Sequence, residues 1–409
     1  MINKELFNRY FNDINIEALI NKDIYIWGIG VFGISVLSFF KECNINIKGV
    51  IDKNASNIKY ILGNKCYTQD VLEQIKQNDS IFIVTATKPQ SIKIITGVLN
   101  NYGFDNYVIL SDTKTVQIDI SGVCNLRCKS CPVGNETPEA AKGYKNRGYM
   151  TPETFETIIR KLKKEMPSIK CINLYIFGDP MLSPYLPQIL EICRKYNLFS
   201  IVSTNLSMQI DLEKILKSTP PSCVKISISG YSQEIYQTTH NNGNINLVKS
   251  NMYKIKYLIE KYKVPTCVVV GYHIYTNNAD DEYRKMQNLC EELGFLFQPT
   301  EAIFCNHFKR MGLEPFSEED VEFISKYYKD SETILNCLPR TKGKQLKCGL
   351  LDNGLFIDFD GRVLVCCGYR RDDAVLPFNY IDTPLKLIQQ ERRKSYICRE
   401  CVAHNLEWQ

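Results

Sequence analysis

Histidine is scarce in this chain, net charge is small, and no stretch is apolar for long. Each shortage closes a class of function. The apolar run Val31–Phe40 is far too short to span a bilayer. The N-terminal MINKELFNRYF has no apolar signal core. The net charge of +5 is modest and diffuse and gives no argument for a nucleic-acid partner. With only four histidines, any one of them stands out as a candidate functional group. What the chain has in excess is cysteine: seventeen, an odd number. Without a secretory signal these are expected to be metal or cluster ligands and buried thiols in a reducing, cytoplasmic setting, not disulfides. At 409 residues, two or three domains are expected.

The cysteines are not scattered evenly. Asp119–Pro132 reads DISGVCNLRCKSCP, with Cys124, Cys128 and Cys131 in a C-x3-C-x2-C run directly after a strand-like Thr115–Ile120. Three thiolates on one loop can hold three irons of a four-iron cluster, whereas a closed cluster takes four. The missing ligand leaves one iron open, as a catalytic zinc keeps an open position. A structural zinc site would want a fourth Cys or His close by, and none is near. This spacing between a strand and a helix resembles the radical S-adenosylmethionine (radical SAM) enzymes. The resemblance implies that SAM chelates the open iron through its amino and carboxylate groups. One electron then splits it to methionine and a 5′-deoxyadenosyl radical that abstracts hydrogen from substrate.

Upstream, Asp23–Trp27 reads as a buried strand, followed by Gly28, Gly30 and Gly33, an apolar helix to about Cys43, and a second strand Ile47–Ile51 ending at Asp52. This is G-x-G-x-x-G with an acid 22 residues after Gly30. A strand Ser80–Thr85 and a helix Gln90–Tyr102 complete a small α/β unit over residues 1–112. It resembles the half-size Rossmann-like units fused to sugar-modifying enzymes. A nucleotide held by Gly28, Gly30, Gly33 and Asp52 is one reading, a purely structural glycine turn the other.

From Thr115 the pattern is strictly β then α. Candidate strands are Thr115–Ile120, Cys171–Phe177, Phe199–Ser203, Val224–Ser229, Thr266–Tyr272 and Phe295–Thr300, with N-caps expected at Thr151, Asp211 and Asp280. Six parallel strands with crossover helices predict an open, TIM-like (β/α)6 partial barrel over residues 113–305, with chemistry at the strand C-terminal ends. The family resemblance assigns residues there. Gly178, Asp179 and Pro180 stand where the family has Gly-Gly-Glu-Pro around the SAM ammonium, with the shorter Asp replacing Glu. Thr204 and Asn205 resemble a polar turn near SAM. Ser227 and Ser229 resemble a Ser-x-Asp-Gly strand end, although such serines also cap local backbone. His240 stands where the family often has an Arg for the SAM carboxylate, a bidentate contact that imidazole cannot copy. Lys142, Lys145 and Arg147, in the loop Pro132–Met150, and Arg370 and Arg371 further on, are candidate cations for an anionic substrate or for plain solvation.

Over residues 306–409 a helix Pro315–Lys329 precedes a strand–turn–strand around Asp360-Gly361. Cys348, Cys366 and the pair Cys398-x-x-Cys401 complete a second set. This resembles the auxiliary-cluster extension called SPASM, in its short Twitch form. The resemblance implies a second [4Fe-4S] cluster on Cys348, Cys366, Cys398 and Cys401, with Cys367 the rival to Cys366. A four-cysteine zinc ribbon is the alternative. The expected activity is hydrogen abstraction from a small hydroxylated substrate, a sugar or polyol, nucleotide-linked or free, as a two-electron oxidation. The expected electron donor is a flavodoxin or ferredoxin. Peptide or protein maturation is the competing activity, and a non-enzymatic iron–sulfur carrier or redox sensor a third reading.

Overall fold

The computed structural model describes residues 2–55, 58–110, 114–134, 147–369 and 372–407. Lys142, Lys145, Arg370 and Arg371 lie outside the described residues. Two sheets organise the chain. The first runs β3-β4-β2-β1-β5-β6, built from β1 (Asp23–Trp27), β2 (Gly49–Ile51), β3 (Tyr60–Ile61), β4 (Asn64–Tyr67), β5 (Ser80–Val84) and β6 (Tyr107–Ile109). β1 pairs in parallel with β2 and β5, the arrangement expected of the Rossmann-like pattern. The hairpin β3–β4 and the edge strand β6 were not legible in the sequence. They are short, and Tyr107–Ile109 is only partly covered.

The second sheet contains the barrel. Strands β7 (Thr115–Ile118), β8 (Cys171–Asn173), β9 (Phe199–Thr204), β10 (Cys223–Ile228), β11 (Cys267–Ile274) and β12 (Leu296–Glu301) lie side by side in chain order, all parallel. This is the expected (β/α)6 half-barrel. β8 is shorter than expected because the chain leaves the ladder to reach Asp119. The Oδ2 of that carboxylate accepts the N–H groups of Phe177 at 2.8 Å and Gly178 at 3.2 Å. Thr151 and Asp211 cap their helices, accepting from Thr154 and Lys214; Asp280 stands at its cap position without a side-chain cap bond.

Side chains alternate across this sheet. On β10, Val224, Ile226 and Ile228 pack into the core beneath the outer helices, which sends Lys225 and Ser227 to the concave face. At the strand starts that concave face is closed by the N-terminal unit. Phe199, the first residue of β9, is ringed by Tyr10, Phe11, Phe32 and Phe39 at centroid distances of 5.1–6.0 Å. Ile201, Cys223, Cys267 and Val269 join the same core as the helix Val31–Glu42. Buried aromatic area of this kind makes the N-terminal unit part of the barrel's foundation.

The C-terminal segment extends the barrel sheet on its other edge. β13 (Gly354–Ile357) runs parallel to β7. It then turns back through Gly361 (φ +85°) into β14 (Arg362–Leu364), and β15 (Val375–Asn379) follows. Phe359, in the turn, fills the space above Gly122 and Gly148: a Cβ on Gly122 would stand 2.5 Å from its ring. No described helix is long and apolar enough to cross a membrane.

Candidate active site

The cysteine loop leaves the end of β7 and is held from several directions. Leu126 is buried as its anchor. Arg127 donates to the carbonyls of Cys124 (3.1 Å) and Leu126 (2.8 Å), and its own N–H donates to the Asn241 carbonyl (3.1 Å). Gly134 closes the loop where no other residue fits, since a Cβ there would meet the Cys128 carbonyl oxygen at 2.1 Å. Within this loop the three thiols act on one another. Burial raises the Cys128 thiol, and the charges of Cys131 and Cys124 raise it further. Burial likewise pushes Cys124 up to about 11. Such a trio ionises when it meets cations, which is what cluster irons supply. Among the described residues no group of three His, Cys, Asp or Glu is arranged around one shared ion. In a cluster each thiolate takes its own iron, and three thiols on one loop supply three such ligands.

The turn after β8 is stitched to the loop. Asp179 N–H donates to the Val123 carbonyl (2.9 Å), and a Cβ on Gly178 would overlap the Ser121 carbonyl oxygen, 1.4 Å away. Only glycine permits that approach. The Asp179 carboxylate has its own work. Its Oδ2 accepts from Thr204 Oγ1 (2.9 Å), Asn205 N–H (2.9 Å) and Asn205 Nδ2 (2.8 Å), and its Oδ1 from Met181 N–H (3.0 Å). The carboxylate, buried and raised to about 6 by desolvation despite those donors, ties two strand ends together. Asn205 completes the tie: its Nδ2 also reaches Asn125 Oδ1 at 2.9 Å and Cys124 Sγ at 3.9 Å. Thr204 and Asn205 are thus brought to the cysteine loop as expected, as supports for it.

Ser229 and His240 also turn inward. Ser229 Oγ contacts Thr239 Oγ1 and lies 2.7 Å from His240 Nδ1, and the imidazole stacks on Tyr236 at 4.6 Å. Burial, with the nearby His273 charge, pushes His240 down to about 3. His240 is therefore neutral at ordinary pH. A single contact to the SAM carboxylate, or none with another cation in its place, is all that the sequence leads one to expect of His240, since imidazole cannot copy the bidentate guanidinium. Ser227 faces the concave side. There its neighbours are Ser203, part of the polar turn Ser203-Thr204-Asn205 read from the sequence, and four that sequence patterning missed: Lys225 on its own strand, with Gly271, His273 and Gln298 on β11 and β12. Gly271 makes room for the lysine; a Cβ there would stand 3.1 Å from Lys225 Cε. Burial lowers the Lys225 ammonium and pushes His273 down to about 4. The signal was present in principle, a Lys and a Ser on alternate positions of an otherwise apolar strand.

The second set of cysteines also converges. Cys348 caps the helix Gly349–Asn353, Cys366 follows β14, and Cys398 and Cys401 lie on the helix Tyr396–Ala403. The charges of Cys366 and Cys348 both reach Cys398 and Cys401 and raise their thiols, whereas Cys367 is absent from both sets of influences. Cys367 instead packs beside Cys124 and Cys131 around Phe177, Phe356 and Leu364. The Tyr369 hydroxyl is buried without a hydrogen-bond partner, and its proximity lowers the Cys401 thiol against burial.

The N-terminal glycines line a different space. A cavity of about 860 Å³ runs from Gly28, Gly30 and Thr85 to Thr115 and Cys171, the first residues of β7 and β8. Gly30 precedes the helix Val31–Glu42, and nothing lies within 4 Å of where its Cβ would be. Gly33, expected in the turn, lies inside the helix, where a Cβ would stand 1.9 Å from the Gly28 carbonyl oxygen; its task is close packing. Asp52 accepts from Ile29 N–H (3.0 Å) and Asn54 N–H (2.9 Å), so its oxygens brace the turn itself.

Comparison with known proteins places this geometry. A curated relative is the FeMo cofactor biosynthesis protein NifB of Methanocaldococcus infernus, 28% identical over 126 residues, 30% of this chain and 41% of the relative. The chain thus spans about two fifths of that relative's length. Similar solved structures are native anSMEcpe with bound AdoMet (19% identity, TM-score 0.44, 72% of this chain and 84% of that one) and BtrN in complex with AdoMet and 2-DOIA (13%, 0.38, 71% and 87%). A third is Streptococcus suis SuiB bound to the precursor peptide SuiA (13%, 0.46, 73% and 68%). Residues 118–290 match the family model described as the Radical SAM superfamily.

Proposed function

We propose that the chain is an oxidoreductase that removes hydrogen from a small hydroxylated molecule, a sugar or polyol, with a second cluster taking the second electron. When bound, the cluster on Cys124, Cys128 and Cys131 together with SAM supplies a radical that abstracts hydrogen from an unactivated C–H. The observation that carries the rest is the stitching of the C-terminal hairpin onto β7. It sets β14 two strand spacings from β7, roughly 10 Å, with Cys366 just past the end of β14 and toward the level of Gly354 and Thr115. A substrate left with one unpaired electron beside a hydroxyl needs an acceptor nearby. A cluster closed by Cys348, Cys366, Cys398 and Cys401 binds no substrate and suits that task.

The chain's own residues supply binding and proton handling. Ser203, Ser227 and Gln298 offer hydroxyls and an amide to a polyol on the concave face. Lys225, its ammonium weakened by burial, is the group there suited to take a hydroxyl proton. With the Asp179 oxygens occupied, the SAM ammonium falls to backbone carbonyls of the turn 176–178. A flavodoxin or ferredoxin is the proposed electron source. The cavity at Gly30 suits a nucleotide in size. It lies at the strand starts, whereas the cysteine loop lies at the strand ends, so a nucleotide held there is a ligand in its own right rather than a handle on the oxidised carbon.

The test is anaerobic reconstitution with iron and sulfide, then turnover with deuterated sugars or polyols. Deuterium should move from the oxidised carbon into 5′-deoxyadenosine, with one SAM consumed per product. Label lost from a peptide instead would overturn the substrate class. Iron absent from the C-terminal cysteines would overturn the acceptor.

A further inference from the structure

Arg392 is among the largest side chains buried almost completely, at 1% exposure. Its guanidinium donates to three carbonyls: Nε to Val365 (2.9 Å), Nη2 to Leu350 (2.9 Å) and Nη1 to Gly354. None of the described carboxylates pairs with it, although the adjacent Arg393 pairs with Asp352. Carbonyl dipoles satisfy its N–H groups but leave its full charge without a counter-ion, and lone buried charges are rare because their desolvation is so costly. The anions within reach are thiolates. The sulfurs whose charges act on Arg392 are Cys366, Cys398, Cys348 and Cys367, a set that includes three of the four proposed ligands. Two of the three carbonyls belong to residues close to those ligands in the chain: Leu350 two after Cys348, Val365 one before Cys366. Arg392 itself lies six residues before Cys398.

We infer that Arg392 is the counter-ion of the C-terminal cluster and sets its reduction potential. A cluster on four thiolates is anionic and gains one further negative charge on reduction. A fixed cation in a site of low dielectric favours the more negative form, so Arg392 raises the potential and makes the cluster a better acceptor. The alternative is a brace, in which the guanidinium fork holds three backbone segments together and its charge is incidental.

The inference rests on the two-cluster reading, and the experiment separates the two. The full chain with Cys124, Cys128 and Cys131 replaced by Ala is reconstituted anaerobically, so that only the C-terminal centre remains. Iron and sulfide are measured, and the centre is titrated by EPR. Zinc, or no iron and sulfide, in this parent defeats the second cluster itself. With the cluster present, Arg392→Gln, which keeps donors and loses charge, should shift the midpoint to more negative potential, and Arg392→Lys should stay near the parent. A Gln variant with full iron at the parent midpoint overturns the inference. If Gln loses the cluster while Lys retains it at the parent midpoint, the charge is again what the centre requires. If Lys loses it as well, Arg392 is a brace and the inference fails.

Discussion

Asn205 Nδ2 lies 2.8 Å from Asp179 Oδ2, and the same nitrogen lies 3.9 Å from Cys124 Sγ. One amide thus links the turn after β8, the turn after β9 and the cysteine loop. Removing it leaves a buried carboxylate short of a donor. Asn205→Ala should cost about 1–3 kcal/mol in chemical unfolding. Because hydrogen bonds to sulfur tune cluster potentials, it should also shift the midpoint of the N-terminal cluster. A variant as stable as wild type would show that the amide is dispensable to this junction.

Asp119 predicts a pH dependence. Burial, opposed by the Phe177 and Gly178 N–H groups and reinforced by the Asp358 charge, raises its carboxyl from 3.8 to about 7. Its Oδ1 is buried without a partner. The folded state therefore holds a proton that the unfolded chain releases near pH 4. The stability this contributes is complete below that pH and is lost as pH rises through about 7. Asp119→Asn keeps an acceptor for the two N–H groups and should flatten the unfolding profile between about pH 4 and 7.

The two neighbouring cysteines should behave differently. Cys366→Ala should remove the C-terminal cluster, about four irons per chain, while Cys367→Ala should leave it in place. Iron and sulfide analysis after reconstitution decides between them, and the reverse pattern would exchange their roles.

Gly33 and Gly30 should also part company. An alanine at 33 drives a methyl into the Gly28 carbonyl and should cost about 1–3 kcal/mol. An alanine at 30 meets open space and should change stability by less than about 1 kcal/mol. Nucleotide binding, followed by calorimetry against NAD and nucleotide sugars, should suffer more from a bulky residue at 30 than from alanine there.

Lys225→Met should raise stability by about 1 kcal/mol, since a desolvated ammonium gives way to an apolar side chain, and lower kcat about 100-fold or more. A variant that is both active and unchanged in stability would remove Lys225 from the site.

Local pattern carried a good deal. Strand periodicity over Thr115–Thr300 implied six parallel strands in order, because each β–α repeat is a local unit whose handedness leaves one arrangement. The spacing of Cys124, Cys128 and Cys131 marked the reactive loop, since ligands on one short loop are neighbours by chain connectivity. The hydrogen bonds that Ser229, His240 and Asp179 make within the protein were not legible, because residue type says nothing about a partner that folding brings in from ten or more residues away. Lys225 went unnoticed because its importance depends on which face of β10 it occupies and on Gly271 of the next strand. Arg392 is the extreme case. Its burial arises where the segments 350–354, 365–367 and 398–401 meet, and only the folded chain brings those segments around one charge.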